Sequence, residues 1–341
     1  MSSISPALPV RSCMDAVVSR LSASTTMSKR TGKNQIVALL DSGVNGSHKD
    51  LASRKIVHKR HYVGSNTDDE FGHGTHLAGV IAADHALYSG VAPDATIWSY
   101  RVLDKDGKSA SSKSLTNAIQ DVISDAAALT PSQLVIANCS FAVPLSSFAT
   151  EKDYELFCDP FDNATSDLVL VTAAGNQGPD GATITAPGGG FRVITVGASV
   201  SRPGSSLNFV SPYSSRGPGT GNRDKPDLVA PGGFRNPRGE AHTDVSVVSS
   251  RLQSGTLDGM TSDDKPWKVD GTHFGLSGTS QATAVVSGVC ALILEEMDAK
   301  GRTVRHFQVA NALRDGAKTL GFSVYEQGHG LIDVDEAMMK I

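Results

Sequence analysis

Long apolar runs are missing from this sequence of 341 residues. The longest candidates, residues 35–40 and 285–294, have the length of a strand or a buried helix. Both fall well short of the ~18 residues that a membrane span needs, so no membrane partner is expected. A large charge excess is missing too. The net charge is −4, which leaves no basic footprint for nucleic acid. Cysteine is scarce: Cys13, Cys139, Cys158 and Cys290 show no metal-ligand or redox-motif spacing. That pattern is no disulfide framework, and a reducing compartment is compatible with it. Cys139 and Cys290 lie inside apolar stretches and read as buried small hydrophobes. The first fifteen residues lack a charged segment followed by an apolar one. No secretory signal is expected there, and a cytoplasmic location is the expectation.

What is present is an ordinary globular composition, 39% hydrophobic and 19% charged. From Gln35 onward, continuous apolar runs recur. They are Ile36–Leu40, Thr96–Leu103, Leu134–Cys139, Leu168–Ala174 and Val193–Ala198. Runs of this kind suit parallel strands buried on both faces. Segments with helical periodicity lie between or after them, at residues 76–84, 114–128, 280–297 and 304–318. The alternation predicts an α/β fold: a doubly wound, mostly parallel sheet with helices on both faces. This domain covers residues 34–341. Residues 1–33 read as an N-terminal extension with a short propeptide-like segment, in which the extended stretch Ser3–Val10 could lie in the cleft. Residues 232–275, rich in Gly, Ser and Asp, read as a loop-rich surface insertion with a short hairpin around Val245–Ser249.

Three residues with the chemistry for acyl transfer stand out. Asp41 closes the first strand, His73 sits in a glycine-rich turn at a helix start, and Ser280 opens the long apolar helix. Each has an ordinary reading of its own: a turn residue, a structural histidine, a helix cap. Together they occupy strand ends and helix N-termini, where open α/β sheets gather their ligands. His76 follows His73 at a metal-like spacing, yet no third ligand completes a set, so no metal residues are assigned. The run Asp68-Asp69-Glu70 reads as a solvated loop face.

Four local sequences carry a resemblance. Asp41-Ser42-Gly43-Val44, His73-Gly74-Thr75-His76-Leu77-Ala78-Gly79, Ala173-Ala174-Gly175-Asn176-Gln177-Gly178 and Gly278-Thr279-Ser280-Gln281-Ala282-Thr283 resemble the motifs of the subtilisin-like serine proteases, the subtilases. They stand in that family's order, and the likeness runs from about Gln35 to Ala337. It implies a serine endopeptidase acting on protein or peptide substrates. Asp41 would orient, His73 would be the general base, Ser280 the nucleophile, and Asn176 an oxyanion donor. Extended substrate would pair with Lys105–Ser109, which holds Gly107, and with Ser140, Phe141 and Ala142. A pocket would lie between Ser140–Ala142 and Ala173–Gly175. No cofactor is required. The segment after Val80 lacks the Asn-rich calcium loop of secreted members, so no calcium site is assigned. Ala142-Val143 stands where the family usually has two glycines, which implies a narrower cleft. Two alternatives remain: a peptide-binding pseudoprotease, and a subtilase that processes or ligates a precursor peptide. The intact set Asp41, His73, Ser280 and Asn176 argues against the first.

Overall fold

A computed structural model describes residues 30–51, 55–129, 133–201, 208–235, 246–259 and 268–341. The stretch Ser3–Val10 lies outside the described residues, as do most of the N-terminal extension and parts of the 232–275 segment. Ten strands are described: β1 Ile36–Asp41, β2 Ile56–His61, β3 Thr96–Arg101, β4 Val135–Cys139, β5 Leu168–Ala173, β6 Ile194–Ser201, β7 Asn208–Val210, β8 Leu228–Pro231, β9 Val247–Ser250 and β10 His273–Leu276. The main helices are α1 His73–Ala82, α2 Ser112–Ala127, α3 Glu151–Ala164, α4 Thr279–Ala299, α5 His306–Asp315 and α6 Val334–Lys340.

The sheet runs β2-β3-β1-β4-β5-β6, with β8 parallel and β7 antiparallel to β6. All other pairings in it are parallel. The order reverses at β1, whose neighbours are β3 and β4, so a crevice opens beyond the carboxyl ends of β1 and β4. Alternation along each strand divides the core. Val37 and Leu39 of β1 pack with α1, α4, α5 and α6 on one face. Ile36, Ala38 and Leu40 pack with α2 and α3 on the other. Side chains two apart point the same way, which is why unbroken apolar strands demand helices on both sides.

Three elements depart from the reading above. β2 lies between β1 and α1, but it is an edge strand with an exposed sequence, Ile-Val-His-Lys-Arg-His, and carries no apolar run. α3 falls where no helix is expected. Its buried Tyr154, Phe157, Cys158 and Phe161 do have helical spacing, and Thr150 with Asp153 forms a capping box. The third departure is that two strands within or bordering residues 232–275 are not on the surface. Strands β9 and β10 pair antiparallel and are largely buried, and β9 packs on α1. Small residues in these strands serve close packing: a Cβ on Gly275 would stand 2.9 Å from Ser246 Cβ, and one on Gly79 of α1 would meet the Ser249 and Ser250 hydroxyls. His76 of α1 makes the seam, since its Nε2 donates to the Val247 carbonyl at 3.1 Å. Burial, with the nearby His73, pushes the His76 pKa down to about 3, so the ring is neutral and structural.

Candidate active site

Asp41 is the last residue of β1 and is 1% exposed. Its Oδ1 accepts the Ser42 backbone N–H at 2.8 Å and the His73 Nδ1–H at 2.9 Å; Oδ2 lies 3.1 Å from the same nitrogen. His73 begins α1. Gly72, at φ 107, makes the turn into the helix in a region that L side chains avoid. Gly74 lets the helix approach β1's end: a Cβ there would stand 2.1 Å from the Gly43 carbonyl oxygen. Burial pulls the His73 pKa down, but the facing Asp41 carboxylate outweighs it, so the net shift is upward. With Nδ1 committed to Asp41, Nε2 is the nitrogen available for proton transfer.

The positioning group that the sequence reading missed is Asp69. Instead of lying on a solvated face, it is buried. Its Oδ1 accepts from the Ser42 hydroxyl and the Phe71 and Gly72 amides; its Oδ2 accepts from the Thr75 amide and hydroxyl. One carboxylate thus ties the residue after Asp41 to both flanks of His73. Ser42 completes the link by accepting the Gly74 N–H at 2.9 Å. The acidic run hides this role, because three adjacent carboxylates look alike until the chain turns one of them inward. Asp69→Ala would strand several buried donors at once. We expect a loss of about 3 kcal/mol of folding stability, read as a lowered urea midpoint at unchanged slope. An unmoved midpoint would remove Asp69 from this role.

Ser280 lies in the first turn of α4, two residues past the N-cap Gly278, so it is not the cap. Its hydroxyl donates to the Ser140 carbonyl at 3.0 Å. Ser140 follows β4, so the nucleophile candidate rests at the same rim of the sheet as Asp41. α1 and α4 pack on each other, and their N-termini carry His73 and Ser280. Behind Ser280 runs a buried polar seam: Ser140 Oγ donates to Asn138 Oδ1, and Asn138 Nδ2 donates to Ser287 Oγ.

Asn176 follows β5 and is exposed. Its Oδ1 accepts the Thr279 N–H at 2.9 Å and the Thr279 hydroxyl at 3.1 Å. The Thr279 oxygen in turn accepts the Gly175 N–H at 3.2 Å. Thr279 therefore holds the amide by its carbonyl end. The sequence reading did not single out Thr279, whose role depends on a residue 103 positions away.

The expected substrate-binding residues separate into two sets. Ala142 is exposed, and its backbone has no hydrogen bond among the described residues, whereas Val143 already exchanges two bonds with Ala186. Ser140 and Phe141 are buried beside it. Gly107 lies at a turn with its Cα against the Phe71 ring, and Phe71 lies 6.4 Å, centroid to centroid, from His73. Ala173 and Gly175, by contrast, are enclosed. The Gly175 carbonyl accepts from Ser215, and a Cβ on Gly175 would meet Thr185 and Ser215 at under 3 Å.

Comparison with known proteins bears on this arrangement. The model of the subtilase family matches residues 32–330. Serine protease AprX of Bacillus subtilis is 32% identical over 274 residues, covering 78% of this chain; the chain spans 58% of that relative's length. Subtilisin of Bacillus pumilus is 33% identical over 314 residues, covering 90% of this chain and 92% of that protein. Among solved structures, a lanthipeptide protease superposes with a TM-score of 0.73, covering 96% of this chain and 94% of its own, at 23% identity, which shows the shared fold.

Proposed function

The chain belongs to the subtilase family, and from that premise we propose that it is a serine endopeptidase using Asp41, His73 and Ser280. The observation that carries the reading is the Asp41–His73 hydrogen bond of 2.9 Å, with Ser280 in the first turn of the helix packed beside α1.

A serine hydroxyl is a weak nucleophile near neutral pH and needs a base as it attacks. Asp41 keeps the proton of neutral His73 on Nδ1, so Nε2 has a lone pair for the Ser280 proton. The Ser280 hydroxyl, now donating to Ser140, turns about Cα–Cβ to reach that lone pair. As Oγ bonds to the acyl carbon, the proton passes to Nε2 and the carbonyl π electrons move to oxygen. The imidazolium then protonates the leaving amine. Water, activated by the same nitrogen, releases the acyl group from Ser280.

Negative charge on the carbonyl oxygen would be met by Asn176 Nδ2 and the Ser280 N–H, at the positive end of α4. Substrate backbone would add along Ser140–Ala142, where the Ala142 backbone has no hydrogen bond among the described residues. Asn176→Ala should lower kcat by about 10²–10³-fold and leave KM nearly unchanged, because the lost bond forms mainly in the transition state. Steady-state kinetics on a peptide substrate reads this; an equal rise in KM at constant kcat would contradict it.

The reading itself is tested by a fluorophosphonate probe. Parent protein should be labelled on Ser280, and Ser280→Ala should not. Product masses from a long peptide should be those of hydrolysis. Absent labelling with retained peptide binding would point to a binding protein; joined fragments would point to a ligase.

A further inference from the structure

Away from the triad, the far end of α1 meets a cluster of imidazoles and carboxylates. Asp50 lies in the loop after β1, His85 in the loop after α1, and His273 begins β10. One ligand atom from each lies within 4.8 Å of the others. Asp50 and His273 are buried, and His85 is half-buried, which leaves a path from solvent. Tyr88 stacks on His85 and leans on His273.

Hydrogen bonds define the proton inventory. His48 is spoken for: Nδ1 accepts from the Asp50 amide and Nε2 donates to the Thr272 carbonyl. His273 faces carboxylates with both nitrogens. Nε2 is 2.6 Å from Asp50 Oδ2, and Nδ1 is 2.9 Å from Asp270 Oδ2. A ring held so must carry both protons. The group therefore holds two carboxylates against one imidazolium, a residual charge of −1 around two buried side chains. A divalent ion in place of the Nε2 proton brings the same group to neutrality.

We infer that Asp50, His85 and His273 form a binding site for a divalent transition-metal ion such as Zn²⁺. Imidazole nitrogen and carboxylate oxygen suit Zn²⁺ at ~2.0–2.2 Å, and tetrahedral ligands at those lengths stand ~3.3–3.6 Å apart. The 2.6 Å pair between Asp50 and His273 opens by about 0.7–1 Å to accept the ion. Asp270 on the opposite nitrogen of His273 is the outer carboxylate that orients a ligating histidine and raises its basicity. His85 makes the larger change. Its Nδ1 now accepts from the Leu87 and Tyr88 amides. To ligate through Nε2, His85 shifts its proton to Nδ1 and leaves those amides to water in an exposed loop. His273 loses its Nε2 proton to solvent, so each ion bound releases one proton. The bound ion links the loop after β1, the loop after α1 and the β9–β10 hairpin, independently of the proposed peptidase chemistry.

The test is a Zn²⁺ titration of the full chain, purified in chelator, against a chromophoric competitor. Calorimetry at pH 7 in two buffers of different ionisation enthalpy counts protons. We expect one equivalent bound, one proton released per ion, and a thermal midpoint that rises with Zn²⁺. His85→Ala, at the half-buried position, should weaken binding at least tenfold and abolish the rise in midpoint. His273→Gln should do the same, and if it fails to fold, His85→Ala still decides. No uptake by the parent, or equal uptake by His85→Ala, would overturn the site.

Discussion

Replacing Ser280 with alanine should lower kcat by about 10⁶-fold while the protein stays folded. The hydroxyl forms the covalent bond in this mechanism, and alanine leaves His73 with no oxygen to deprotonate. The structural cost is small. Among the described residues Ser280 Oγ makes one hydrogen bond, to the Ser140 carbonyl, and alanine retains the Cβ in the first turn of α4. The Ser280 backbone N–H and the Asn176 amide remain, so weak rate enhancement over water should persist. Peptide hydrolysis by active-site-titrated protein measures the loss, and the thermal midpoint should stay close to the parent's. A variant within tenfold of the parent would exclude Ser280 as nucleophile.

Asp41→Asn should cost about 10⁴-fold in kcat, though the side chain keeps its shape. Asparagine can turn its amide N–H toward His73 Nδ1. The ring proton then belongs on Nε2, and the Ser280 hydroxyl faces a donor instead of a lone pair. The pH profile adds a signature that simple misfolding would not give. In the parent, burial depresses the His73 pKa and Asp41 more than restores it, so the folded value lies above the ordinary 6.5. The base form is lost as pH falls, and the acid limb of kcat/KM should have its midpoint above 6.5. Without the carboxylate charge, burial is largely unopposed and the limb should move to lower pH. An acid limb at the same pH in both proteins would mean that the carboxylate does not set the His73 proton affinity.

How far the sequence could be read follows from how local each signal was. Buried strands were visible because both faces are covered, so Ile36–Leu40 and Leu168–Ala173 admit almost nothing polar between turns. β2 was not visible, because an edge strand with one open face can be His-Lys-Arg. α3 carried its own signals, the 154/157/158/161 spacing, the Thr150–Asp153 box and two acids in its first turn, but Pro160 within it disguised an ordinary amphipathic helix. β9 and β10 read as surface from sequence, because glycine and serine are loop formers. Only the α1 surface against which they pack shows why small residues are needed there.

The same division holds in the candidate active site. Asp41, His73, Ser280 and Asn176 were legible because reactive side chains need strand ends, helix starts and glycine turns, which leave a mark within six residues. Asp69 and Thr279 were not. Their work is to hold other residues, and a hydrogen bond from Thr279 to Asn176 leaves no trace in either neighbourhood. The Asp50–His85–His273 group is a sharper case, with three single residues and no motif around any of them.

By itself, then, the chain of residues determined the alternation of buried strands and helices, the order of the chemical groups and the family to which they belong. These depend on periodicity and short turns, and both are written locally. Tertiary structure alone decided which carboxylate of Asp68-Asp69-Glu70 turns inward, which end of the Asn176 amide is held, and which histidines meet a second acid. Those outcomes depend on distances between segments brought together by packing, and sequence separation carries no record of them.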